Sequence, residues 1–271
     1  MILLADSGSS KTTWYMADRE EFITTKGMNP FQIGKEEMIS ILEAIPNKGI
    51  TQIWFYGAGC AFPDKNKIVF DALSKHFGIS NIEINSDLLG AARSLCGEQP
   101  GIACILGTGS NSCYYDGQKI AENVSPLGYV LGDEGSGSAI GKKLLSDVLK
   151  NQLPTTIREL FFEKYNTTVG EILDNVYRKP LPNRYLAQFA IFVSENLDLQ
   201  EIQTLVSDCF REFFRRNLMQ YKYANQLPVH FTGSIAFHFN EILKKTAGEF
   251  GLKIRNITKE PMAGLITYHT K

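Results

Sequence analysis

Twice in this chain a short apolar run breaks into a turn of glycine, serine and threonine and returns as a second extended run. Ile2–Ala5 leads through Asp6-Ser7-Gly8-Ser9-Ser10 into Thr12–Ala17, and Ile102–Leu106 leads through Gly107-Thr108-Gly109-Ser110 into Asn111–Asp116. The flanking residues are β-branched and aromatic, so each passage predicts a hairpin whose tip is rich in N–H and hydroxyl donors. A chain that opens both of its halves in this way predicts two α/β units on one plan, an internal duplication of architecture. The run Cys96-Gly97-Glu98-Gln99-Pro100-Gly101 is the linker candidate, giving a first domain over residues 1–98 and a second over 99–271.

The rest of the first half predicts a third strand at Glu21–Lys26, a helix on Met38, Ile39, Ile41, Leu42 and Ile45 closed by Pro46, and a strand at Gln52–Tyr56. A helix over 64–76, a strand over 81–85 and a helix over 87–95 follow. In the second half, Asp116-Gly117 turns into a strand at Lys119–Val124, and residues 134 to about 226 are helical. Ile202, Leu205, Val206, Cys209, Phe210, Phe213 and Phe214 form one apolar helix face there, and such a stripe is core rather than site. Val229–Thr232 returns as a buried strand, Gly233-Ser234 turns it, and Ile235 to Phe250 reads as a helix.

Charge and cysteine usage exclude several classes of function. Twenty-eight basic residues against 29 acidic ones give a net charge of −1, without the basic excess expected of a nucleic-acid or membrane-surface binder. Five widely spaced cysteines with no CxxC predict neither a disulfide framework nor a zinc site. The N-terminus lacks the pattern of a signal peptide and no apolar stretch is long enough to span a bilayer, which predicts a cytoplasmic protein.

Glycine is concentrated between Gly107 and Gly141, where close approach of backbone N–H groups to phosphate is one explanation and tight turns are the other. The familiar phosphate motifs fail. A Walker A loop would need glycines where Ala5 and Ser10 stand, and the dinucleotide fingerprint meets Ser112 where its third glycine belongs. Three turns that each leave a strand remain: DSGSSKT at 6–12, LGTGSNS at 106–112 and FTGSIA at 231–236.

This set resembles the phosphate-1, phosphate-2 and adenosine motifs of the actin/hexokinase/Hsp70 superfamily. GYVLGDEGSGSAIG at 128–141 resembles, within it, the N-acetylglucosamine kinase and BadF/BadG-type ATPase family. The resemblance implies two actin-like, ribonuclease H-like α/β domains with ATP and Mg²⁺ in a cleft between them. It implies an ATP-dependent kinase acting on the 6-hydroxyl of N-acetylglucosamine or a related N-acetylated hexose. Asn85-Ser86-Asp87-Leu88 is similar to the family segment that supplies the general base, which makes Asp87 that base. An N-cap role for Asp87 or Ser86 is the structural alternative.

By the same resemblance Asp6 is the Mg²⁺ partner, through water. Gly8, Ser10, Lys11 and Thr12 bind ATP from the first hairpin, Gly107, Thr108 and Gly109 from the second, and Gly233 and Ser234 from the adenosine turn. Asn29, Asn111 and Asp133 contact sugar, with Pro30-Phe31 where some amino-sugar kinases carry an aromatic residue. The expected partners are sugar and ATP, with no nucleic acid and no membrane; a homodimer stays open. Two other functions stay open too. One is a redox ATPase whose [4Fe–4S] cluster would need thiolates such as Cys104 and Cys113, and the other is a non-enzymatic, sugar-responsive or filament-forming relative.

Overall fold

In both sheets the strand before a glycine-serine turn lies at the centre and the other strands are added on either side of it. The structure is a computed structural model that describes residues 1–270. The first half runs β1 (Ile2–Ser7), β2 (Lys11–Met16), β3 (Glu21–Lys26), α1 (Lys35–Leu42), β4 (Gln52–Gly57), α2 (Pro63–Phe77), β5 (Ile82–Ser86) and α3 (Asp87–Cys96). Its five strands lie in the order β3-β2-β1-β4-β5. The hairpin strands pair antiparallel, whereas β4 and β5 join β1 in parallel through their helices.

The second half runs β6 (Gly101–Leu106), β7 (Ser110–Tyr115), β8 (Ile120–Glu122), α4 (Gly128–Leu131) and α5 (Gly137–Leu149), then α6 (Thr155–Tyr165), α7 (Val169–Tyr177), α8 (Pro182–Ala187), α9 (Ala190–Glu195) and α10 (Gln200–Arg216). After these come β9 (Val229–Thr232), α11 (Ser234–His238), α12 (Asn240–Glu249), β10 (Ile254–Thr258) and α13 (Met262–His269). Its sheet order is β8-β7-β6-β9-β10, the same plan as the first. The duplicated opening therefore reflects a duplicated sheet.

The chain folds into two compact units. The first holds residues 1–100, 115–120 and the chain from 260 onward, and the second holds 101–114 and 121–259. The chain thus re-enters the first unit at Glu260, whereas the linker pattern at 96–101 predicts a second domain over everything after residue 98. Helix α13 packs on α3, and Met262 joins Leu4 and Tyr15 in a small buried cluster. Neither β10 nor α13 is among the elements expected from sequence. The single helix expected from Ile235 to Phe250 is two, because the chain breaks at Phe239.

Each unit has its own core. Leu3, Trp14, Phe55, Val69 and Leu73 anchor the first. The second is larger and aromatic, and α10 buries Ile202, Leu205, Val206, Phe210, Phe213 and Phe214 along the expected face. No helix among the described residues is long and apolar enough to cross a membrane.

Candidate active site

Strand β1 ends at Ser7, and the turn that follows is fixed from within the first unit. The Gly8 N–H donates to the Lys11 carbonyl at 2.9 Å, and the Gly27 N–H donates to the Ser10 carbonyl at 3.1 Å. Beneath the turn the Ser7 and Thr12 hydroxyls lie 2.8 Å apart in a buried hydrogen bond, and Ser7 Oγ also accepts the Met28 N–H at 3.1 Å. Of the three side chains expected at phosphate, Ser10 and Lys11 are exposed and Thr12 is buried. Asn29 packs against the same turn. Its Nδ2 donates to Ser9 Oγ at 3.0 Å while its Oδ1 accepts the Phe31 N–H at 2.9 Å.

Lys11 Nζ meets Glu260 Oε1 at 2.5 Å. Sequence reasoning missed Glu260, because the contact joins residues 249 positions apart and no local pattern marks it. Burial, then the charges of Asp87 and Glu260, push the Asp6 carboxyl up to about 7, against the pull of Lys11. The charges of Asp87 and Glu260 thus act on Asp6 beside Lys11. Among the described residues no three acidic, histidine or cysteine side chains come close enough together to hold a metal ion, so a divalent cation at Asp6 would be held chiefly through water.

Asp87 is the first residue of α3, and the cap belongs to its neighbour. Ser86 has extended dihedrals and its Oγ accepts the Leu89 N–H at 3.2 Å. Asp87 Oδ1 accepts the adjacent Leu88 N–H, at 2.9 Å. Burial pushes the Asp87 carboxyl above the ordinary range, with backbone N–H groups acting against it. A carboxylate that is not the cap, at a helix start and with raised basicity, has the chemistry of a general base.

The second turn is braced by the GDEGSG segment. Gly137 and Ser138, the first two residues of α5, donate their N–H groups to the carbonyls of Gly107 (2.8 Å) and Thr108 (3.1 Å). Ser136 caps the helix through the Ala139 N–H. Asp133 is 9% exposed and its Oδ1 accepts the Ser110 N–H at 3.2 Å. A Cβ on Gly109 would lie 3.0 Å from Asp133 Oδ2, so the carboxylate supports the turn from directly beneath. Asn111 Oδ1 accepts the Ser112 N–H at 2.9 Å and the Asn123 Nδ2–H at 3.0 Å. The structure thus gives Asp133 and Asn111, both expected at sugar, bracing contacts within the second unit.

In the third turn Gly233 has φ +115, and a Cβ there would lie 2.2 Å from the Leu106 carbonyl oxygen. Only glycine lets β9 turn this close to β6. Ser234 is exposed at the start of α11. Cys104 and Cys113 are both buried in strands β6 and β7.

No protein-family profile matches the sequence, and no curated protein does. Among solved structures, a Porphyromonas gingivalis protein described as a candidate N-acetylglucosamine kinase shares 44% identity at a TM-score of 0.95, over 99% of this chain and 98% of the other. The chain belongs to the N-acetylglucosamine kinase family. A Chromobacterium violaceum protein described in the same way shares 16% identity at a TM-score of 0.71, over 98% of both chains. A ROK-family glucokinase from Streptomyces griseus, solved with glucose and AMPPNP, shares 12% at 0.60, over 99% of this chain and 98% of the other. The last two show only the fold, that of the two-domain actin-like ATPases.

Proposed function

We propose that the protein is an ATP-dependent sugar kinase that phosphorylates the 6-hydroxyl of N-acetylglucosamine or a related N-acetylated hexose. The observation that carries this reading is Asp87, a carboxylate of raised basicity that leaves the cap to Ser86. Its free oxygen accepts the proton of the sugar hydroxyl as the new oxygen–phosphorus bond forms, and the γ-phosphoryl group leaves ADP. Positioning and charge stabilisation supply the rest of the rate.

Gly8, Ser10 and Lys11 hold phosphate from the first hairpin, with Thr12 shaping the turn through its buried bond to Ser7. Thr108 and Gly109 offer backbone N–H groups from the second hairpin, Gly107 closes that turn by donating its own N–H to the Gly109 carbonyl at 2.9 Å, and Gly233 and Ser234 receive the adenosine. Asp6 would hold Mg²⁺ through water, and the ion would offset negative charge on the phosphates. Lys11 exchanges Glu260 for a phosphate oxygen at little cost, since an exposed ion pair is worth under about 1 kcal/mol. Asn29 orients the sugar beside Phe31. Asn111 and Asp133 contribute by holding the second turn.

A coupled assay for ADP with N-acetylglucosamine, N-acetylmannosamine, glucosamine and glucose tests the proposal, with the product's phosphorylated carbon read by NMR. Turnover is expected to be fastest on an N-acetylated hexose, with phosphate on O6. Faster turnover on glucose would move the specificity to plain hexoses, and no sugar-dependent ADP release would overturn the kinase reading.

A further inference from the structure

Helix α13 lies so close on α3 that a glycine is needed at the contact. A Cβ on Gly264 would stand 2.2 Å from the Ser94 carbonyl oxygen. Beside this approach the two helices border a cavity of about 160 Å³, lined by Arg93, Ser94, Gly97, Gly264, Thr267 and Tyr268. All six residues belong to the first unit. Arg93 follows Asp87 on α3 by about 9 Å along the helix axis and about 120° around it, so the cavity is separate from the site already described.

Arg93 is the one charged side chain lining the cavity, and among the described residues no carboxylate pairs with it. Its Nη1 donates to Tyr56 OH at 2.7 Å, and its Nε is buried without a partner. The groups whose charge acts on it are the phenols of Tyr56, Tyr268 and Tyr115. Burial pushes Tyr56 up to about 12, against the pull of Arg93, and pushes Tyr115 up as well, so both are neutral at pH 7 and supply no counter-charge. The rings of Tyr56 and Tyr268, 5.8 and 5.3 Å from the guanidinium carbon, offset part of the cost of half-burying the cation. Arg211, by contrast, is held by Glu249 through two N–H groups and by Asp208 through a third. A guanidinium fork fixed by tyrosines, with N–H groups to spare, is preset for an oxyanion.

The cavity holds roughly five waters' share of liquid volume, room for a phosphate group but far below the roughly 300 Å³ at which pockets for larger ligands begin. Thr267 is exposed at its edge, so the remainder of a phosphate monoester can stay in solvent. The Ser94 and Thr267 hydroxyls, now donating to the Pro261 and Ala263 carbonyls, can rotate toward a ligand and serve more oxygens than the two of a carboxylate. We propose that Arg93 anchors a second phosphate-binding site between α3 and α13, which takes a phosphate group as the free ion or carried on a sugar. This goes beyond the kinase reading and does not depend on it.

Inorganic phosphate titrated into the full chain in the presence of excess AMPPNP tests the proposal. The readout is the side-chain Nε–H resonance of Arg93 in protein made with isotope-labelled arginine, assigned by its loss in Arg93→Lys. The resonance is expected to shift to saturation with phosphate and to stay in place with chloride at the same ionic strength. Thr267→Glu sets a carboxylate beside the guanidinium and is expected to weaken phosphate binding at least roughly ten-fold. Replacing inorganic phosphate by N-acetylglucosamine 6-phosphate separates the two sources. Tighter binding of the ester assigns the site to a carried phosphate group, and equal or weaker binding assigns it to the free ion. A resonance that moves with neither overturns the proposal. So does acetate binding as tightly as phosphate, or phosphate affinity unchanged in Thr267→Glu.

Discussion

At the scale of single residues, Ser86 and Asp87 divide two tasks that are often confused at a helix start. Ser86→Ala removes the cap and should cost about 1 kcal/mol of stability, leaving catalysis nearly intact. Asp87→Asn keeps shape but cannot take a proton, so kcat should fall by roughly 10²–10⁴ while KM for sugar stays within several-fold. Steady-state kinetics and melting temperature on the two variants check the division. Normal turnover with Asn at 87 would place the base elsewhere.

The titrating residues make a second, signed prediction. Burial, with Arg93 in one case and Arg255 in the other, pushes His269 and His230 down to about 4. Between pH 7 and 5 the unfolded chain takes up protons that the folded histidines refuse, so each removes stability over that range, by less than the roughly 2 kcal/mol of a fully buried imidazole because water screens them in part. Asp6, pushed up to about 7, acts in the opposite sense. Its folded carboxyl gains a proton in the same interval, and the protein gains roughly 2 kcal/mol. Urea unfolding at pH 7 and pH 5 should therefore show His269→Gln losing less stability on acidification than wild type, and metal-free Asp6→Asn losing more. The same direction of change for both variants would refute the assignment.

At the scale of elements, the second turn depends on what lies under it. A Cβ at Gly109 would lie 3.0–3.2 Å from the Asp133 carboxyl, whereas Gly107 has open space around it. Gly109→Val should displace Asp133 from the Ser110 N–H and weaken ATP binding, while Gly107→Ala leaves the fold unchanged. Calorimetric titration of ATP into each folded variant tests this, and equal affinity in Gly109→Val and wild type would count against a phosphate role for the turn. Gly233 is stricter, since a side chain there meets both the Leu106 carbonyl and a forbidden φ. Gly233→Ala should cost at least roughly 1–3 kcal/mol.

At the scale of the whole molecule, the last residues complete the first unit. Ser94 Oγ donates to the Pro261 carbonyl at 2.7 Å, Tyr56 OH pairs with His269 Nε2 at 2.8 Å, and the Trp54 and His269 ring centroids are 4.3 Å apart. Both tryptophans, Trp14 and Trp54, belong to this unit, so fluorescence reports on it alone, whereas circular dichroism is dominated by the helices of the second. A chain ending at Lys259 should lose Met262 and Leu265 from buried positions, a loss of at least roughly 3 kcal/mol in the first unit. In urea its fluorescence transition should precede its dichroism transition. Coincident transitions at the wild-type midpoint would show that α13 does not stabilise the first unit.

Local order was already determined by sequence. Period-two and period-3.6 patterns marked most strands and helices, glycine-serine turns marked both hairpins, and the repetition of that opening foretold two sheets of one plan. These signals are legible because each rests on neighbours within about one turn or one hairpin. Tertiary structure alone decided which unit Glu260 and α13 serve, that Glu260 meets Lys11, that Asp133 lies under Gly109, and that Ser86 rather than Asp87 is the cap. The first three are contacts between residues far apart in sequence, and no periodicity encodes them. The last turns on backbone dihedrals at a single residue, where serine and aspartate are equally good caps until the chain is folded.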